Sequence, residues 1–161
     1  MKIIRFTSIV PGTLADQFVG GFTSMSVRRL RKGSGPIDFI FFWRADGTGL
    51  KIQSVMHDIN REEWLEAGVL EFTHVAADDD PSSQIELPDE FRRDLKVSKL
   101  VLSTEEMVVE SGIVLEGRDG GRIVVVAGGF PYAITIAADF LTETFDPEYE
   151  LSEYSQELLN G

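Results

Sequence analysis

Two stretches constrain this chain more than any other feature: "IDFIFFWRADGTGLKIQSVM" and "LEGRDGGRIVVV", each with two apolar-patterned runs joined by a glycine turn. Successive side chains of a strand point to opposite faces. Ile37, Phe39, Phe41 and Trp43 therefore share one face, with Asp38, Ile40, Phe42 and Arg44 on the other. The second face is itself half apolar, which predicts a central strand covered on both sides at its middle. Asp46-Gly47 supplies the positive φ that a tight reversal needs, so a hairpin running Phe39–Gly49–Met56 is expected. Arg118-Asp119-Gly120-Gly121 makes the second reversal.

Period-two patterning continues elsewhere. "KIIRFTSIV" sets Ile3, Arg5, Thr7 and Ile9 against Ile4, Phe6 and Ser8, which predicts one opening strand. Further strands are expected at Val69–Val75, Val97–Leu102, Met107–Glu116, Arg122–Ala127 and Ala133–Ala138, about eight in all. Consecutive hairpins build antiparallel sheet, not crossover units. The expectation is one α+β globular domain, residues 1–161, dominated by hairpin-rich antiparallel β-sheet that is curved or barrel-like, with two or three short helices.

Helix signals are brief. "TLADQFVGG" offers Thr13 as a cap, Asp16 at the third helical position and Gly20 as a stop. "LPDEFRRDL" puts Pro88 in a first turn and Phe91 and Leu95 four apart. In the tail, Leu151, Tyr154 and Leu158 have the spacing of a closing helix. "NREEWLEAG" reads as a capping box, with Asn60 as cap, Glu63 three residues on, Ile59 and Trp64 as a hydrophobic staple and Gly68 as stop. "KGSGP", residues 32–36, is expected to be a flexible loop.

Charge limits function. Fifteen basic and 27 acidic side chains give a formal net charge of −12, which opposes attraction to nucleic-acid phosphates and favours a basic partner. Residues 1–60 carry eight basic and four acidic groups, a balance of +4, which leaves −16 for the remainder. A second copy of the chain is thus another candidate partner. Apolar runs stop far short of a membrane span, Arg5 breaks the opening patch without a cleavage pattern, and a cytoplasmic location is expected. The absence of cysteine excludes disulfides and a thiol nucleophile.

The grammar of catalysis is sparse. There is no Gly-x-Ser-x-Gly elbow and no phosphate loop, while "GTGLKI" lacks a third glycine and joins two strands. "DDD" lacks calcium-loop spacing and reads as solvated acid. No cofactor clamp and no metal site are expected. The alternative is a small-ligand or metal-assisted enzyme built on His57, Asp58 and His74, and it requires the two imidazoles to converge.

Three stretches suit binding. "VRRLRKG" clusters Arg28, Arg29 and Arg31, which suit bidentate contacts, or else guard a strand edge by charge. "AGGFPYAITI" places Phe130 and Tyr132 around Pro131 in a rigid turn, where a cis bond is compatible with the sequence. The tail interleaves Glu148, Glu150 and Glu153 with Tyr149 and Tyr154, an acidic and aromatic combination fit for a basic protein partner. Together these indicate a small acidic protein-interaction module, of the type of a bacterial immunity or inhibitor protein.

Overall fold

The architecture comes from a computed structural model that describes residues 1–31 and 34–159, without the side chain of Leu30. Of the loop expected at "KGSGP", Lys32 and Gly33 lie outside the described residues, and Ser34 to Pro36 are strand, not loop. Among the described residues twelve strands make one sheet: β1 (Lys2–Ile4), β2 (Thr7–Ile9), β3 (Ser24–Arg31), β4 (Ser34–Trp43), β5 (Gly49–Asn60), β6 (Leu65–Val75), β7 (Ile85–Glu86), β8 (Lys96–Ser103), β9 (Met107–Glu116), β10 (Arg122–Ala127), β11 (Ile134–Ala137) and β12 (Tyr154–Leu158). They run in the order β12-β8-β9-β10-β11-β4-β5-β6-β2, with β3 beside β4 and β7 beside β3. The sheet is mostly antiparallel and does not close.

Both expected hairpins form. Ile40 to Trp43 face Ile52 to Gly49 across the Asp46-Gly47 turn, and Arg122 faces Glu116 across the second. The opening segment, expected as one strand, is two. β1 pairs in parallel with β9 and β2 in parallel with β6, so the segment bridges two strands that do not pair with each other. Its break lies at Arg5 and Phe6, where the Phe6 N–H leaves the ladder and donates to Glu110 Oε1 at 2.8 Å.

The expected helices do not form. Helical structure among the described residues is 3-10 turns of three or four residues, at Ala15–Phe18, Pro81–Ser83, Asp89–Arg92 and Leu151–Glu153. Ahead of the first turn, whose cap is Leu14, Thr13 and Asp16 still exchange side-chain-to-backbone bonds of 3.0 and 3.2 Å. None of these turns has the length at which helix propagation repays nucleation. The tail ends as strand β12.

"NREEWLEAG" is overturned as a helix for the same reason. Asn60 Oδ1 does accept the N–H groups of Glu62 and Glu63, at 3.1 and 3.4 Å. The chain then reverses, and β5 and β6 pair over nearly their whole length. That pairing buries Leu50, Ile52, Leu70 and Phe72, each worth about 1.5–3 kcal/mol, far more than one box. Ile59 is buried, while Trp64 stands 89% exposed at φ 56°, so no staple forms.

The core has two parts. Ile113, Leu115, Ile123 and Val125 face a large cluster containing Phe18, Phe22, Phe42 and Phe72. Val109, Val114, Val124 and Val126 belong to a second cluster that Phe145, Tyr149 and Tyr154 help to cover. β9 and β10 are apolar on both faces because both faces are buried.

Candidate functional site

β4 and β11 part beside a proline. β11 meets β4 only at Ile134 opposite Ile37. The next antiparallel position would oppose Thr135 to Pro36, which has no N–H to donate. The strands part there, and a cleft of about 570 Å³ lies over the split, with Ile37, Ala133 and Ile134 among its lining. That volume is within the range of binding pockets.

Three walls surround this floor. On the β3 side the register slips between Arg28 and Arg29 and again between Arg29 and Arg31. Bulges of this kind re-aim side chains. Arg29 reaches an ion pair with Glu143 and donates through Nε to the Gly35 carbonyl at 3.2 Å. The second wall is the extended segment around Asp146, where Thr135 Oγ1 accepts the Asp146 N–H at 3.0 Å and the Gly129 N–H donates to the Asp146 carbonyl at 2.8 Å. A Cβ at position 129 would lie 3.2 Å from the Asp146 carboxylate, so glycine there lets the acid lie against the turn. Among the described residues that carboxylate has no ion-pair partner.

The third wall is the turn from Gly128 to Ala133. It is pinned by Gly128 N–H to the Ala133 carbonyl at 2.8 Å and by Ala133 N–H to the Phe130 carbonyl at 2.9 Å. All described peptide bonds are trans, that of Pro131 included, so the reversal is made instead by Tyr132 at φ 62°. A left-handed non-glycine residue costs about 1–2 kcal/mol. The result is two rings held in water, Phe130 at 61% and Tyr132 at 59% exposure.

The structure thus brings Arg29 and Phe130 to one cleft, with Tyr132 on its turn, and disperses the other candidates. Arg28 is committed elsewhere, to Asp78 at 2.8 Å, Asp79 at 3.1 Å and the face of Phe41. The side chain of Asp78 is only 5% exposed, so one third of "DDD" is not solvated acid. Arg31 is exposed beside the described end of β3.

Of the two tail tyrosines, Tyr154 is buried and Tyr149 half-buried. Tyr154 is buried in the second cluster, its ring 6.5 Å from that of Tyr149, and its hydroxyl accepts the Tyr149 N–H at 3.3 Å. Burial raises the pKa of both phenols. Glu150 and Glu153 are exposed and cap the Leu151–Glu153 turn.

Glu148 lies partly buried and accepts the Gly68 N–H at 3.2 Å. Burial raises its pKa, the Gly68 bond opposes the shift and Glu66 adds to it. A carboxyl whose folded pKa exceeds its unfolded one binds more protons when folded, so stability declines as pH rises through that window. Glu148→Gln keeps the acceptor, and is expected to flatten the decline from about pH 4.3 upward. Thermal melts at pH 4 to 7 measure this; an unchanged slope would show that Glu148 does not carry it.

His57 and His74 do not converge. His57 stands opposite Ala67 and His74 opposite Leu50, so seven residues of β6 separate them, about 23 Å at roughly 3.3 Å per residue. Asp58 pairs with Arg61 at 2.9 Å. Among the described residues no group of three or more His, Asp or Glu is placed to hold a metal.

Pro36 and Gly129 were visible in the sequence, but nothing local linked them to Glu143 and Asp146. Neither models of known families, nor curated proteins, nor solved structures give a match to this chain.

Proposed function

We propose that this chain is a small acidic protein-interaction module, working in the cytoplasm in the manner of an immunity or inhibitor protein, and that its cleft receives a cationic side chain of a basic partner. The observation that carries this reading is the strained Gly128–Ala133 turn, which holds Phe130 and Tyr132 in water and has against its Gly129 the Asp146 carboxylate, without an ion-pair partner among the described residues. A guanidinium or ammonium group entering there meets an aromatic face and a negative charge together. Aromatic anchors at the centre of an interface commonly carry most of its binding energy. The net charge of −12 steers such a partner from a distance. Among the described residues no helix is long and apolar enough to cross a membrane.

The test uses fluorescent hexa-arginine and hexa-glutamate peptides, followed by anisotropy at low and moderate salt. Hexa-arginine is expected to bind and to weaken as salt screens the contact; hexa-glutamate is not. Asp146→Lys together with Phe130→Ala should weaken binding by at least about tenfold, which is about 1.4 kcal/mol. Equal binding by wild type and this variant would end the assignment to the cleft. Tyr132→Gly relieves the left-handed strain, so its melting temperature should be unchanged or higher while binding falls. A clear loss of stability would show that the ring supports the fold instead.

A further inference from the structure

The cleft already holds a cation of its own. Among the described residues that line it, the charged side chains are Arg29, Glu143 and Asp146, so one positive and two negative groups leave a single negative charge. How the three are paired decides what that charge can receive. Arg29 forms an ion pair with Glu143, and the two side chains are only 24% and 22% exposed. Water therefore screens this pair less than a surface one.

The placement of Arg29 is specified from two sides. β3 slips register before it and again after it, and its Nε donates to the Gly35 carbonyl at 3.2 Å. Arg31, two residues along the same strand, is exposed and does not line the cleft. Asp146 is left without an ion-pair partner among the described residues. The net charge of −12 attracts any polycation, so discrimination between one basic segment and another has to be local.

We infer that Arg29 is a specificity-determining residue: by holding Glu143 it leaves Asp146 as the one free carboxylate of the cleft, which then admits an isolated cation of the partner and not two adjacent ones. A single guanidinium or ammonium at Asp146 brings the cleft to neutrality. A second one finds no free carboxylate and meets the guanidinium of Arg29. Selectivity of this kind comes from a built-in repulsion as well as from an attraction. This role rests on the reading of the cleft as the receiver of a partner's cation, and it adds which basic segments are admitted.

The experiment follows the anisotropy of two peptides, Gly-Gly-Arg-Gly-Gly and Gly-Gly-Arg-Arg-Gly, each blocked by a dye at the N-terminus and amidated at the C-terminus. Moderate salt screens the long-range attraction. Wild type is expected to bind the two within about twofold of each other, whereas Arg29→Met frees Glu143 and should favour the double-arginine peptide by at least about tenfold. Arg31→Met removes the same charge outside the cleft and should keep the wild-type ratio. Glu143→Gln leaves Arg29 uncompensated, and should weaken the single-arginine peptide by at least about tenfold with Asp146 intact. Arg29→Met combined with Glu143→Gln restores the single negative charge and should restore wild-type affinity for that peptide. Loss of both partners of an ion pair is tolerated better than loss of one, so the wild-type ratio and this double variant decide the matter if a single variant fails to fold. A wild type that already favours the double-arginine peptide tenfold, or a double variant that melts as wild type does without regaining affinity, would overturn the role of Arg29 and leave the cation reading standing. No binding of either peptide by wild type, or equal binding by wild type and Phe130→Ala with Asp146→Lys, would overturn both.

Discussion

Tyr154→Ala is expected to destabilise the protein by about 3–5 kcal/mol, the usual loss when a large buried ring is truncated. The ring is 8% exposed, and with Tyr149 it roofs the second cluster over Val109, Val114 and Val124. Removing it leaves a cavity beneath the tail, and the Tyr149 N–H loses the acceptor it has at 3.3 Å. Tyr154→Phe isolates that second contribution and should cost about 1 kcal/mol. Denaturant midpoints of the two variants separate packing from hydrogen bonding. An unchanged midpoint for Tyr154→Ala, with weakened partner capture, would place the ring outward and restore it as a binding anchor.

Gly21→Ala should be comparably severe. Gly21 has φ 68°, and an added Cβ would lie 2.3 Å from the carbonyl oxygens of both Phe91 and Arg93. These are backbone atoms, fixed in part by the Phe22 N–H, which donates to the Phe91 carbonyl at 2.8 Å. The left-handed conformation alone costs alanine about 1–2 kcal/mol, and the overlap adds about 1–3 kcal/mol. Gly20 is the internal control. It too has positive φ, at 81°, but open space surrounds its missing Cβ, so Gly20→Ala should show only the conformational part, about 1–2 kcal/mol. Equal effects at the two positions would mean that the loop moves aside and the overlap costs nothing.

The contrast between these glycines shows how far local pattern reaches. Gly20 looked like the stop of a short helix, yet its N–H is taken by Asp94 Oδ1 at 2.6 Å, far along the chain. Gly21, next to it, is the position that the tertiary structure constrains. Asn60 behaves similarly. Its side chain accepts the same N–H groups in a hairpin turn as in a helix cap, so the motif was legible and its outcome was not. The candidate site was legible in pieces. Arg29, Phe130 and Tyr132 stood out as charge and aromatic turn chemistry, whereas Asp78, the partner of Arg28, lay hidden in a run of three acids.

By itself the sequence determined what depends on neighbours a few residues apart. Side-chain alternation and the glycine turns at Gly47 and Gly120 settled the two hairpins, and hence a sheet-dominated, mostly antiparallel domain. The half-apolar second face of β4 announced a central strand. Tertiary structure alone decided everything that depends on which strands meet. It split the opening segment between β9 and β6, turned the expected helices into strand and single turns, buried Tyr154, and parted β4 from β11 at Pro36 to open the cleft. The physical reason is one of range. A turn is fixed by the φ of one or two residues, whereas β-pairing is fixed by apolar area buried between segments that can lie a hundred residues apart, and that larger energy overrides a cap or a spacing wherever the two disagree.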